Sequence, residues 1–216
     1  MSKRLDPAPF AAAPRAAAPP AGGGPAGVVL AGGLARRMGG GDKPLKDLCG
    51  RPIIAHVIAR LGCAAAVNAN GDPARFAALG LPVVPDSLPG HPGPLAGVLA
   101  ALDWAAGRGL PRVVTAAGDT PFFPEDLARR LWSAGAPVAM AAHDGRDHPA
   151  FAAWDTALRE PLRRALAQGT RRMREFMDDH GAARVIVQGR DPFFNINTPD
   201  DLAEARRRLA AGDAWI

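Results

Sequence analysis

The chain has 216 residues, with 26 Lys plus Arg against 21 Asp plus Glu and a formal charge of +5. Its 48% hydrophobic and 22% charged residues exclude global disorder, and a chain of this length buries a core without covalent or metal staples. No apolar run approaches the roughly 18–20 residues that span a bilayer, and the two cysteines, Cys49 and Cys63, lie in no CxxC or Cys/His pattern. These features predict a soluble protein of a reducing cytoplasm, with no membrane partner.

The first 26 residues are mostly Ala, Pro and Gly, too poor in bulky apolar groups to offset the entropy of ordering, so 1–26 reads as a flexible tail. Prolines at 7, 9, 14, 19 and 20 leave no continuous apolar segment for a signal peptide. Lys3, Arg4 and Arg15 against Asp6 put +2 of the surplus in this tail and leave +3 for the rest. In the body, Arg alternates with acids on helical patterns such as 125–130 and 204–208, which read as solvated faces. Tyr is absent and no aromatic residues interleave with the basic ones, so no nucleic-acid partner is expected.

From Gly27 onward, short apolar runs alternate with amphipathic stretches. Strands are predicted at 27–31, 65–69, 82–84, 113–117, 138–142, 150–154 and 184–187, most of them apolar on both faces. Helices are predicted at 52–61, 94–106, 125–133, 155–167, 171–178 and 199–209, several opening on Pro, a favoured first helical residue. The alternation implies a mostly parallel sheet covered on both sides. The 138–142 and 150–154 runs lie too close for a crossover helix, so a hairpin and one antiparallel strand are expected there. The fold class is a single doubly wound, three-layer α/β/α domain over 27–211, Rossmann-like, in which ligands bind beyond the carboxyl ends of the strands.

The stretch Leu30-Ala31-Gly32-Gly33, running on to Arg36, Arg37, Gly39–Gly41, Asp42 and Lys43, follows the first strand directly. Glycines let backbone amides close on a ligand, and exposed N–H groups of such a loop form an anion-binding concavity. Arg37 and Lys43 add cations suited to several phosphates. A plain Gly-rich connector with solvated basic residues is the competing reading. The P-loop is excluded because Asp42 precedes Lys43 and Pro44 follows it, and the dinucleotide fingerprint because no GxGxxG follows the strand.

Asp119 ends the run Val113–Gly118 and is placed at the carboxyl end of a strand, where a carboxylate holds Mg²⁺ or turns the chain. Asp86 follows another strand; Asp-Ser after Pro85 is also ordinary turn chemistry. Asn68 and Asn70 interrupt an apolar strand end with amides suited to a base edge or ribose, or with a simple Asx turn. Asn195 and Asn197 precede Thr198-Pro199-Asp200-Asp201, a good helix start, and are candidates to face the crevice. His143, Arg146 and His148 form a polar rim with no metal-ligand spacing. Arg171 and Arg172 open a helix, either as surface groups or as phosphate ligands for a second substrate.

These residues resemble a nucleotidyltransferase family whose first loop reads L-A-G-G-x-S-x-R-M-G-x-D-K, and most closely its molybdenum cofactor guanylyltransferases. Val67–Asn70, Asp86-Ser87, Gly93–Gly97, Asp119–Pro121, His143–Pro149 and Asn195–Pro199 follow in the family's order, so the resemblance covers about 27–209. It implies transfer of GMP from GTP to molybdenum-bearing molybdopterin with release of pyrophosphate, with Mg²⁺ as cofactor. Proteins that make or accept the molybdenum cofactor are the macromolecular partners it suggests. By resemblance, Lys43, Arg37 and Asp119 are catalytic. Leu30, Ala31, Gly32, Gly33, Lys43, Asn68, Asp86 and Asp119 bind nucleotide, and Asp119 holds the metal. Arg146, His148, Arg172, Asn195 and Asn197 are candidates for the second substrate. Ala35 replaces a Ser common in the loop, and Gly118 replaces a Cys common before the metal-binding Asp. A cytidylyltransferase of molybdenum cofactor or isoprenoid synthesis is the nearest alternative. Gly32 favours guanine, since cytidylyl relatives carry L-A-A-G. A noncatalytic nucleotide-binding module is the other.

Overall fold

The short apolar runs become the central strands of the fold. The structure, a computed structural model, describes residues 24–32, 42–88 and 93–212. In chain order the elements are β1 (Gly27–Leu30), β2 (Asp47–Leu48), β3 (Arg51–Pro52), α1 (Ile53–Leu61), β4 (Ala64–Asn68) and β5 (Val83–Val84). They continue as α2 (Pro94–Ala106), β6 (Arg112–Ala117), α3 (Leu127–Trp132), β7 (Val138–His143), β8 (Arg146–Asp155), α4 (Arg159–Ala167), α5 (Met173–Asp179), β9 (Ala183–Ile186) and α6 (Pro199–Ala210).

Seven strands form one sheet in the order β5-β4-β1-β6-β8-β7-β9. β1 pairs parallel with β4 and β6, β4 with β5, and β7 with β9. Only β8 runs against its neighbours, β6 and β7, so the expected mixed sheet with one antiparallel strand is the one that forms. The turn Asp144-Gly145 joins β7 to β8 with both residues at positive φ, the backbone geometry that short hairpins need. Across β6 and β8, the buried Trp154 indole N–H donates to the Thr115 hydroxyl at 3.0 Å, so a polar atom inside the sheet is satisfied.

Helices cover both faces. On one side, Ile54, Val57 and Leu61 of α1, Phe76 and Leu79 of the 3₁₀ segment Pro73–Leu79, and Leu127 and Leu131 of α3 pack against Val29, Val67 and Val114. On the other, Leu95, Val98, Leu99 and Leu102 of α2 pack with Leu162 of α4 and Phe176 of α5 on Val28, Val113 and Met140. α2 is buried around most of its circumference because it touches the sheet on one side and α4 on the other. A third cluster, Leu48, Ile53, Phe122, Ile196 and Ala205, ties α6 to the β2–β3 hairpin. Among the described residues, no helix is long and apolar enough to cross a membrane.

The departures from the sequence reading are local, and β8 begins at Arg146 rather than at 150. The β2–β3 hairpin and the 3₁₀ segment at 73–79 form where no periodic element was expected. The predicted helix at 155–167 begins later, because Asp155 closes β8 and its carboxylate accepts the Ala157 N–H at 2.9 Å, starting a 3₁₀ turn before α4. Ala26, at the end of the expected tail, is fully buried, and its carbonyl accepts the Val114 N–H at 2.9 Å. Residues 1–23 of that tail lie outside the described residues.

The chain builds outward from β1 to β4 and β5, then crosses by α2 to β6 on the opposite side of β1. This reversal of strand order opens a crevice at the carboxyl ends of β1, β4, β5 and β6.

Candidate active site

Lys43 is the centre of the crevice. It opens a 3₁₀ turn, Lys43–Leu45, whose preceding residue, Asp42, accepts the Leu45 N–H through its carbonyl at 3.0 Å. The Lys43 ammonium forms an ion pair with the Asp119 carboxylate. It also donates to the side-chain oxygens of Asn195, at 3.2 Å, and Asn197, at 2.7 Å. The Lys43 and Asp119 side chains are only 13% and 17% exposed, so water screens their interaction less than at an open surface. Asp119 stands two residues beyond the end of β6. Its other carboxylate oxygen accepts the Thr120 hydroxyl at 3.1 Å, and its carbonyl accepts the Ile196 N–H at 3.0 Å. That last bond fastens the Asn195–Asn197 segment across the end of β6.

The same segment is fixed from α6. Thr198 caps the helix in a capping box with Asp201, whose carboxylate accepts the N–H groups of Asn197 and Thr198 at 2.8 and 2.9 Å. Burial pushes the Asp201 carboxyl up, but those N–H donors, the Thr198 hydroxyl and the nearby Lys43 charge together bring it below the usual carboxylate range.

A second corner lies at the ends of β4 and β5. The Asn68 amide donates to the Val84 carbonyl and to Asp86, both at 3.0 Å. Asn70 donates to the other Asp86 oxygen at 2.8 Å and accepts the Asp86 N–H at 2.9 Å. Gly97, in the first turn of α2, passes so close that a Cβ there would lie 2.3 Å from the Asn68 side-chain oxygen. Leu30 and Ala31 border both corners: the Ala31 N–H donates to the Asn68 carbonyl at 2.8 Å, and the Leu30 carbonyl accepts the Gly118 N–H at 2.9 Å; Gly32 follows them as an exposed residue. A Cβ at position 118 would lie 3.1 Å from the Leu30 carbonyl oxygen. Gly33, Ala35, Arg36, Arg37 and Gly39–Gly41 lie outside the described residues.

The remaining second-substrate candidates lie at the same sheet edge, farther along. Arg146 and His148 are in the first half of β8, which runs against β6 and so begins where β6 ends. The His148 ring stacks on Phe193 with centroids 4.0 Å apart, and Phe193 belongs to the segment that carries Asn195 and Asn197. Burial, with help from His143, lowers the His148 imidazole below its usual range against the pull of Asp191 and Asp147. Its Nε2 is buried with no hydrogen-bond partner among the described residues. Arg172 precedes α5 and reaches Glu175 at 2.5 Å. The ion pair of Arg174 with Asp147 of β8, at 3.3 Å, puts this end of α5 at the same edge. Asn195 and Asn197 thus reach Lys43, whereas Arg146, His148 and Arg172 line a neighbouring stretch of the rim.

A family model of the MobA-like NTP transferase domain matches residues 27–185. The chain belongs to this family. It is 51% identical over 198 residues to the molybdenum cofactor guanylyltransferase of Bradyrhizobium sp. strain ORS 278, covering 86% of this chain and 93% of that protein. To the enzyme of the same name from Mesorhizobium japonicum it is 50% identical, over 84% of this chain and 94% of the relative. Among solved structures, molybdopterin-guanine dinucleotide biosynthesis protein A from Archaeoglobus fulgidus superposes with a TM-score of 0.69 at 28% identity, covering 86% of this chain and 98% of that one. This MobA-like transferase is therefore a nucleotidyltransferase whose curated relatives at about half identity are molybdenum cofactor guanylyltransferases.

Among the described residues of this MobA-like domain, no group of three or more His, Cys, Asp or Glu side chains could hold a metal. Mg²⁺ needs less, since one or two carboxylates suffice when water and substrate phosphates complete its shell. The half-buried Asp119 carboxylate beside Lys43 fits that donor set. Sequence reasoning missed Arg75, which holds Asp42 with both carboxylate oxygens at 2.6 Å, and the role of Asp201 in the crevice. The acids after Thr198 signalled a cap, but nothing in the sequence links that cap to Lys43.

Proposed function

We propose that the protein is a Mg²⁺-dependent molybdenum cofactor guanylyltransferase. It would transfer GMP from GTP to the phosphate of molybdopterin carrying molybdenum, with Asp119 holding the ion. A phosphate oxygen of the acceptor attacks the α-phosphorus of GTP, the bond from that phosphorus to the bridging oxygen breaks, and pyrophosphate departs. Lys43, Arg37 and the amides after β1 neutralise charge on the triphosphate, and such chemistry needs positioning and electrostatics rather than a nucleophilic side chain. When bound, Mg²⁺ supplies further positive charge to the phosphates. Leu30–Gly33, Asn68 and Asp86 bind the nucleotide. Arg146, His148 and Arg172 serve the second substrate at the adjoining rim, with Asn195 and Asn197 between the two. In this reading the domain spans 27–211, and the enzyme works in the cytoplasm.

The observation that carries this reading is the convergence of Lys43, Asp119, Asn195 and Asn197 at the carboxyl end of β6, in a chain half identical to guanylyltransferases. Purified protein given GTP, Mg²⁺ and molybdenum-loaded molybdopterin is expected to release pyrophosphate, and CTP in place of GTP is expected to turn over poorly. Lys43→Ala should lower turnover by about 10²–10³-fold, the range for losing one donor aimed at developing negative charge, and Asp119→Ala should lower it as well by removing the carboxylate that would hold Mg²⁺. Unchanged rates in either variant would refute these roles, and faster turnover of CTP would refute the base assignment.

A further inference from the structure

Arg75 lies in the 3₁₀ segment between β4 and β5, away from the motifs that mark the crevice, yet every nitrogen of its guanidinium is engaged. Nε donates to the Asp72 carbonyl at 2.9 Å, one terminal nitrogen to both Asp42 oxygens at 2.6 Å, and the other to the Asn70 carbonyl at 2.5 Å. Asp42 leads directly into the turn that presents Lys43. Asn70 holds Asp86 by two reciprocal hydrogen bonds, and Asp86 in turn accepts from Asn68. One planar group therefore joins the phosphate corner, at Lys43, to the nucleoside corner, at Asn68 and Asp86.

We infer that Arg75 is a positioning residue that sets the span between these two corners and so preorganises the site for an intact nucleoside triphosphate. The inference rests on the proposed function, which puts the two ends of one GTP molecule in these corners. A ligand that bridges two sites gains from their connection only if the spacing is fixed beforehand; otherwise the cost of ordering them is charged against binding. The Arg75 and Asp42 side chains are partly exposed, at 32% and 17%, so the ion pair adds little to global stability. Its consequence belongs to binding geometry. Lysine cannot replace it, because a point charge can pair with Asp42 but cannot fork to the Asn70 carbonyl as well.

The test compares wild type, Arg75→Lys and Arg75→Ala in the pyrophosphate-release assay with the molybdenum-loaded acceptor. Inhibition by added pyrophosphate, which engages the Lys43 corner alone, is measured alongside. Both variants should raise KM for GTP roughly tenfold, the scale of losing one charge-assisted hydrogen bond. Turnover at saturating GTP and the inhibition constant for pyrophosphate should stay within about threefold of wild type. Arg75→Lys should melt within a few degrees of wild type, which separates a changed KM from a damaged fold. An unchanged KM in both variants would overturn the inference. So would equal weakening of GTP and pyrophosphate, since that marks general damage to the site rather than a lost link. A wild-type protein that consumes no GTP would instead remove the functional reading on which the inference stands.

Discussion

Lys43 illustrates how much of a site depends on residues distant in sequence. Its amide partners, Asn195 and Asn197, lie 152 and 154 residues away, so composition and spacing mark each residue without joining them. Asn68, Asp86 and Asp119 were legible as polar residues at or just after the end of an apolar strand, and Lys43 as a cation closing the Gly-rich loop. Arg75 was not, because a single Arg in a short, mostly apolar connector gains meaning only when folding brings Asp42 and Asn70 to it. At this scale Gly97 makes a sharp prediction. Alanine is the better helix former by about 1 kcal/mol, but its Cβ would lie 2.3 Å from the Asn68 oxygen. A contact that short forces Asn68 to move and breaks its hold on Asp86. In Gly97→Ala, KM for GTP should therefore rise about tenfold while the melting temperature changes little, because the propensity gain and the clash oppose each other. Initial-rate kinetics with a thermal melt read both effects, and an unchanged KM would mean that Asn68 does not contribute to nucleotide binding.

Elements were read well where periodicity was long and poorly where a turn or a tertiary contact decides the conformation. All seven strands of the main sheet and all six α-helices overlap predicted stretches, because apolar runs and amphipathic repeats need only local sequence to be seen, although β8 begins at Arg146, ahead of the apolar run at 150–154. The β2–β3 hairpin has two residues per strand, too few for alternation to register. It is held by Leu48 and Ile53 packing against Phe122 and Ile196. The start of α6 was legible as a cap, and its further task is to hold Asn197 against Lys43. Asp201 carries that task, which makes it sensitive to pH. Its carboxyl titrates lower in the folded protein than in the unfolded chain, so its stabilising contribution is complete above the unfolded carboxylate range. That contribution is lost as pH falls through the lower folded value. Asp201→Ala should thus melt below wild type at pH 7, by an amount corresponding to about 1 kcal/mol for a lost cap. The gap should close on acidification below about pH 4, as followed by circular dichroism melts. A gap independent of pH would assign the loss to packing rather than to the ionised carboxylate.

At the scale of the whole molecule, many of the described basic side chains are held in local ion pairs. Asp126 pairs with Arg129 and Arg130, Glu204 with Arg207 and Arg208, Asp103 with Arg159 and Arg163, and Asp147 with Arg174 and Arg184. The helix faces that read as solvated charge are thus laced with ion pairs, and the cation that the described structure places at the proposed chemistry is Lys43. What the whole fold adds is rigidity, because the two apolar layers clamp the strand ends from opposite sides. Leu162 of α4 is fully buried against α2, the helix whose first turn carries Gly97 beside Asn68. Leu162→Ala should cost about 2–5 kcal/mol in urea unfolding through the cavity it leaves. The contact lies outside the crevice, and a close-packed interior gives way locally before it shifts a whole helix. KM for GTP should accordingly stay within about twofold, as expected for separated sites. A rise in KM matching the loss of stability would instead show that α2 moves as a lever. In that case the nucleoside corner would be set by the packing of the far layer rather than by Arg75 and its neighbours.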